Sequence, residues 1–113
     1  MKKKSITFLL VLCIAMSTFA TAVFARSTSA DFGSGTGRAH AYLVCYEALV
    51  EATTTPEYKG TPCVTQVFGY NKQGREVCNG NSTTYACATG LNLNKGVSVH
   101  SCDGMAHTLS VYL

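Results

Sequence analysis

From residue 38 onward, apolar and polar side chains alternate in short runs, each interrupted by Gly, Asn, Asp or Pro. This is the pattern of half-buried strands joined by turns. It is clearest at the end of the chain, where residues 97–102 and 105–113 flank Asp103-Gly104. Asp-Gly favours the type I′ turn, whose twist matches that of the flanking strands, so these runs should pair as a hairpin. Opposed residues then have position numbers summing to 207, with His100 facing His107 and Cys102 facing Met105. Upstream, residues 62–70 read as a strand, Asn71-Lys72-Gln73-Gly74 as a turn and residues 75–78 as the returning strand. Asn79-Gly80 reads as a second two-residue turn leading into a strand over 82–89, and residues 92–96 read as the next loop. Cys78-Asn79-Gly80 and Cys102-Asp103-Gly104 echo one another, and both are expected to be hairpin tips.

Residues 38–55 carry two patterns. Ala39, Ala41, Ala48 and Ala52, with the near-stripe His40, Glu47 and Glu51, suit an amphipathic helix. Residues 42–46 and 53–55 are β-branched or aromatic clusters, and no capping box precedes them, which favours two strands bent near Tyr46-Glu47. Residues 26–37 are rich in Ser, Thr and Gly without periodicity and read as a flexible leader. The expected fold is all-β, a small antiparallel β-sandwich or barrel built from hairpins over residues 38–113.

Residues 1–25 have the order of an export signal: Lys2, Lys3 and Lys4, an apolar run over 6–16, then small residues ending at Ala25. Cleavage there would start the mature chain at Arg26. A membrane anchor is the rival reading, because the stretch over 6–24 approaches the roughly 20 residues of a span. Its serines and threonines favour removal. Lipidation at Cys13 is disfavoured, since Leu12 is not the small residue that chemistry requires.

Composition narrows the function classes once the signal is set aside. Nine basic and six acidic residues give the 113-residue chain a formal charge of +3, and three of those lysines lie in the first four residues. The mature chain is therefore neutral, with no clustered cations to displace the counterions of a nucleic acid. DNA and RNA partners are excluded on that ground, and electrostatic membrane attachment is weak. Export also sets the redox setting: Cys45, Cys63, Cys78, Cys87 and Cys102 are all disulfide candidates in an oxidising compartment. Two bridges and one leftover thiol allow fifteen connectivities, among which sequence does not select. The odd cysteine is expected to be buried as a small hydrophobe, to bind a metal, or to join two copies as a homodimer. In a Gram-positive or anaerobic bacterium all five can stay reduced.

The order of export signal, Gly-rich leader and alternating strands, ending in Ser98-Val99-His100-Ser101 and Leu109-Ser110-Val111-Tyr112-Leu113, resembles small secreted all-β proteins of Gram-positive bacteria. Among these it is most similar to the lactococcin 972 type of bacteriocin over roughly residues 39–113. The resemblance implies a small β-sandwich that acts on the cell envelope of competitors, and it carries no functional residue across.

Candidate chemistry is sparse. The chain has no phosphate loop, nucleophile elbow, zinc-protease helix or cysteines two apart. In the 207 register His100, Cys102 and His107 share one face. Two imidazoles and a thiolate are a start for a Zn or Cu site, or for a Cys-His nucleophile pair. A surface His pair beside a disulfide half-cystine is the plainer account, and no cofactor is expected. If several of Tyr42, Tyr46, Tyr58, Tyr70, Tyr85 and Tyr112 share an exposed face, they supply rigid contact area for a protein or glycan. Asn81-Ser82-Thr83 matches a glycosylation acceptor, of little use behind a bacterial signal. The sequence thus favours a secreted binding protein directed at a protein, glycan or envelope target. The alternatives are a hydrolase centred on the last hairpin and a structural component of a cell surface.

Overall fold

The computed structural model describes residues 25–113. The expected export segment, with Cys13, lies outside the described residues except for Ala25. Eight strands follow in order: β1 (Ala25–Phe32), β2 (Ala39–Tyr46), β3 (Leu49–Pro56), β4 (Cys63–Tyr70), β5 (Glu76–Ser82), β6 (Tyr85–Thr89), β7 (Lys95–Cys102) and β8 (Met105–Tyr112). They form two antiparallel four-stranded sheets, ordered β1-β2-β3-β6 and β5-β4-β7-β8. Side chains alternate between the gap separating the sheets and the outside, as the period of two requires. β1 lies beside β8 and β5 beside β6, so the sheets approach each other along both edges.

Residues 38–55 form β2 and β3, reversing at Glu47-Ala48. Three of the alanines that suit a helix, Ala39, Ala41 and Ala52, are instead interior residues of strands, and Ala48 lies in the reversal. Ala39, Ala41, Leu43 and Cys45 of β2 are buried, and Val50 and Ala52 of β3 pack beside them. Small side chains bring the sheets close, and at two directly opposed positions, Gly69 and Gly96, no side chain fits comfortably. A Cβ at Gly69 would stand 2.6 Å from Cys78 Sγ, and one at Gly96 would stand 3.0 Å from Cys45 Cβ.

Three sequence expectations are corrected. The leader over 26–37 is not a free arm: β1 pairs along its full length with β2, from Ala25↔Tyr46 to Phe32↔Ala39. Ala30 and Phe32 reach the core, and Ser and Thr are ordinary edge-strand residues, so a real strand looked aperiodic. Asn79-Gly80 is not a turn, because both residues lie within β5, opposite Phe68 and Val67. Gly80 serves close approach instead: a Cβ there would lie 2.5 Å from the Cys87 carbonyl oxygen. The chain turns later, at Thr83-Thr84, which removes the echo with Cys102-Asp103-Gly104. Finally, Lys95 and Gly96 begin β7 rather than ending the preceding loop.

The last hairpin has the expected register throughout, from Lys95↔Tyr112 to Cys102↔Met105, with His100 opposite His107. Asp103 and Gly104 both take positive φ, 49° and 82°, as a type I′ turn demands.

Candidate functional site

The shared face of His100, Cys102 and His107 is the interior of the sandwich, and each side chain there already has a partner. His100 is fully buried. Its Nε2 is 2.6 Å from Ser98 Oγ and its Nδ1 is 2.8 Å from Thr54 Oγ1. Thr54 Oγ1 is in turn 2.7 Å from Thr65 Oγ1, and the Thr65 hydroxyl donates to the Thr83 carbonyl at 2.9 Å. That last bond fixes the direction of the chain, since each hydroxyl has a single proton to give. Thr54 must donate to Thr65, so Nδ1–H of His100 must donate to Thr54. Nε2 is left as the acceptor for the Ser98 hydroxyl. Burial, with smaller contributions from the charges of His107 and His40, lowers the His100 pKa to about 4, so the ring is neutral at ordinary pH.

A serine hydroxyl on an imidazole nitrogen, with a third group orienting the ring, has the connectivity of a nucleophile and its base. Here it lacks access: Ser98, His100, Thr54 and Thr65 are each at most 1% exposed. Thr54 belongs to one sheet and the other three to its partner, so the array ties the two layers together. It also satisfies every polar atom in an otherwise apolar gap.

Cys102 is buried with its Sγ 3.3 Å from Cys63 Sγ, and His107 stacks on Phe32 with ring centroids 5.9 Å apart. Both His100 nitrogens being engaged by hydroxyls, the hairpin residues do not converge on a common point. Among the described residues no three His, Cys, Asp or Glu side chains form a metal-ligand set. The remaining cysteines are scattered. Cys45 is buried in the core, which pushes its thiol up to about 12, and Cys78 packs against the same cluster. Cys87 packs instead against Val44, Tyr46 and Leu49 on β2 and β3.

Outside the sandwich, the tyrosines divide between elements. Tyr46 is buried, Tyr42 and Tyr85 lie on either side of Thr53 across β2, β3 and β6 with Tyr85 donating to Glu51 at 2.7 Å, and Tyr58 stands in the β3–β4 connection. Tyr70 and Tyr112 do share a face. They flank Lys95 in one row across β4, β7 and β8, because Tyr70 opposes Lys95 and Lys95 opposes Tyr112. The ammonium lies 4.8 Å from the Tyr112 ring centroid and 5.9 Å from that of Tyr70. Beside the row, the turn of residues 71–74 walls a cavity of about 470 Å³, to which Lys72, Gln73 and Asn94 contribute. Asn71 shapes that wall, its Oδ1 accepting from the backbone N–H of Gln73 and Arg75 at 3.0 Å.

No known family, curated protein or solved structure matches the chain. The site therefore has to be read from its own chemistry. Two aromatic faces, two ammonium groups and amide side chains around an open cavity suit a ligand with flat apolar surfaces, hydroxyls and negative charge. A second exposed cluster lies at the other end, where His40 Nδ1 meets Asp31 Oδ1 at 2.7 Å and Arg38 pairs with Glu57 at 3.1 Å. Its polar side chains are already paired with one another. Sequence reasoning named Tyr70 and Tyr112 among the tyrosines but missed Lys95. The 207 register contained the signal for half of the row, since it sets Lys95 opposite Tyr112.

Proposed function

We propose that this chain is a secreted binding protein, a bacteriocin-like antagonist of the lactococcin 972 type, that engages an envelope glycan through the Tyr70–Lys95–Tyr112 row. The carrying observation is that row: Tyr112 is 59% exposed, and its ring and that of Tyr70 bracket a cation above an open cavity. Sugar rings stack on aromatic faces, and the carboxylates or phosphates of wall polymers meet ammonium groups. The export reading supports the same conclusion, because a mature chain without net charge needs a local recognition patch rather than a general electrostatic one. In the exported form the small core would be assisted by a disulfide, as in other small secreted domains.

Co-sedimentation of the purified mature chain with isolated Gram-positive cell walls tests this reading. The wild type should pellet with the walls and slow the growth of sensitive cells. Tyr112→Ala and Lys95→Gln should each weaken wall binding about tenfold, equal to about 1.4 kcal/mol, while retaining the β-sheet circular dichroism signal. Equal binding by wild type and both variants would overturn the assignment of the site.

A further inference from the structure

Cys63 opens β4 and Cys102 closes β7, and the two residues are directly opposed in the antiparallel register. Their sulfurs stand 3.3 Å apart in an apolar setting completed by Ala39 and Phe32. Opposed antiparallel residues hold their Cβ atoms about 4.5 to 5.5 Å apart, close to the spacing that a disulfide spans. Small side-chain rotations therefore suffice, and no strand has to slide. The backbone beyond the pair is also tied, since the Asp103 N–H donates to the Pro62 carbonyl at 2.9 Å. Cys45 and Cys78 are out of reach. Cys45 packs at Gly96, six residues along β7 from Cys102, and six strand residues span roughly 20 Å. Cys78 packs at Gly69, at the same end as Cys45.

We propose that Cys63 and Cys102 are a disulfide-forming pair, a covalent staple between the first residue of β4 and the last of β7. The oxidant is a disulfide, either a small one such as oxidised glutathione or that of a thiol oxidoreductase. One cysteine thiolate attacks it, forming a mixed disulfide and releasing one thiol. The second cysteine then attacks the protein sulfur of that mixed disulfide, forming the Sγ–Sγ bond and releasing the other thiol. Two electrons and the two cysteine protons end on the two released thiols. Burial, with the hydrogen bond to Cys102, raises the Cys63 thiol to about 11. A Cys63 thiolate is thus scarce once the sandwich has closed.

Trypsin separates the cysteines conveniently, placing Cys63 in residues 60–72 and Cys102 in residues 96–113, each as the sole cysteine of its peptide. The experiment is mass mapping of the full chain refolded with oxidised glutathione, after capping free thiols in denaturant. The expected result is a linked 60–72/96–113 species that disappears on reduction. In Cys63→Ala that species should be absent. Linkage of residues 96–113 to residues 39–59 or 76–95, or capped Cys63 and Cys102 in the refolded wild type, would overturn the proposal. The pairing is set by the fold and does not rest on export. A chain kept inside cells would yield capped thiols when isolated and still give the linked species after refolding, which separates failure of the export reading from failure of the pair.

Discussion

His100 is the residue at which the interior is most sensitive to its chemical state. It is neutral because the sandwich excludes water from it, and both nitrogens are useful only in that state: one donates to Thr54 and the other accepts from Ser98. Protonation would add a donor at Nε2 facing the Ser98 hydroxyl and place a charge in an apolar gap. The folded pKa of about 4 lies below the ordinary 6.5. As pH falls below about 6.5 the unfolded chain takes up this proton first, so stability declines until the folded ring also titrates near pH 4. The expected loss across that window is about 3 kcal/mol, with no contribution above pH 7. Urea midpoints measured from pH 7.5 to pH 3.5 check this, and the decline should be much shallower in His100→Gln. A wild-type midpoint that does not move would exclude a buried neutral imidazole. The same residue shows a limit of reading sequence. Its strand and its opposition to His107 follow from one local turn, but its partners Thr54 and Thr65 arrive from β3 and β4. No local pattern announces that they converge.

At the scale of elements, what was legible was whatever the chain specifies within a hairpin. The β7–β8 register follows from Asp103-Gly104, and the β2–β3 pair follows from β-branched and aromatic clusters on either side of a reversal. The misreadings share a cause. Asn79-Gly80 has the composition of a turn, but a glycine is equally required where another backbone passes close by, and the two uses are identical in sequence. β1 has the composition of a free arm because edge strands of Ser, Thr and Ala bury little and show weak periodicity. The structure gives β1 a definite role: it covers the edge of β2, an exposed ladder that would otherwise invite pairing with other chains. Hydrogen exchange on the mature chain distinguishes the alternatives. Those β1 amides that bond to β2 should exchange far more slowly than the amide of Leu91, which is 79% exposed in the β6–β7 loop, whereas a free arm would exchange fully within the dead time of mixing.

For the whole molecule, the β4–β5 and β7–β8 hairpins of one sheet have to be joined before either candidate site exists. Lys95 and Tyr112 meet through the local hairpin, but Tyr70 joins them only through the β4–β7 ladder, and Cys63 meets Cys102 through that same ladder. This one non-local pairing, absent from any local pattern, builds both the exposed row and the buried thiol pair at opposite ends of the same strands. It is also where a covalent link has most to contribute. A small domain buries a modest fraction of its surface, and its net stability is a few kcal/mol left over from large opposing terms. The two cysteines are 39 positions apart, so linking them closes a long loop in the unfolded chain. For a loop of that length the chain-entropy relation gives about 4 kcal/mol. Urea unfolding of the oxidised chain should therefore show a higher midpoint than the same chain in excess reductant. A double Cys63→Ala, Cys102→Ala variant should match the reduced chain to within about 1 kcal/mol per lost buried sulfur and should not respond to reductant through this pair. Equal midpoints for oxidised and reduced wild type would mean that the β4–β7 ladder is already formed in the unfolded ensemble or that the bond strains the native sandwich. Comparing refolding rates separates the two, because a preformed ladder speeds folding even in the reduced chain, while strain in the native sandwich speeds unfolding of the oxidised one.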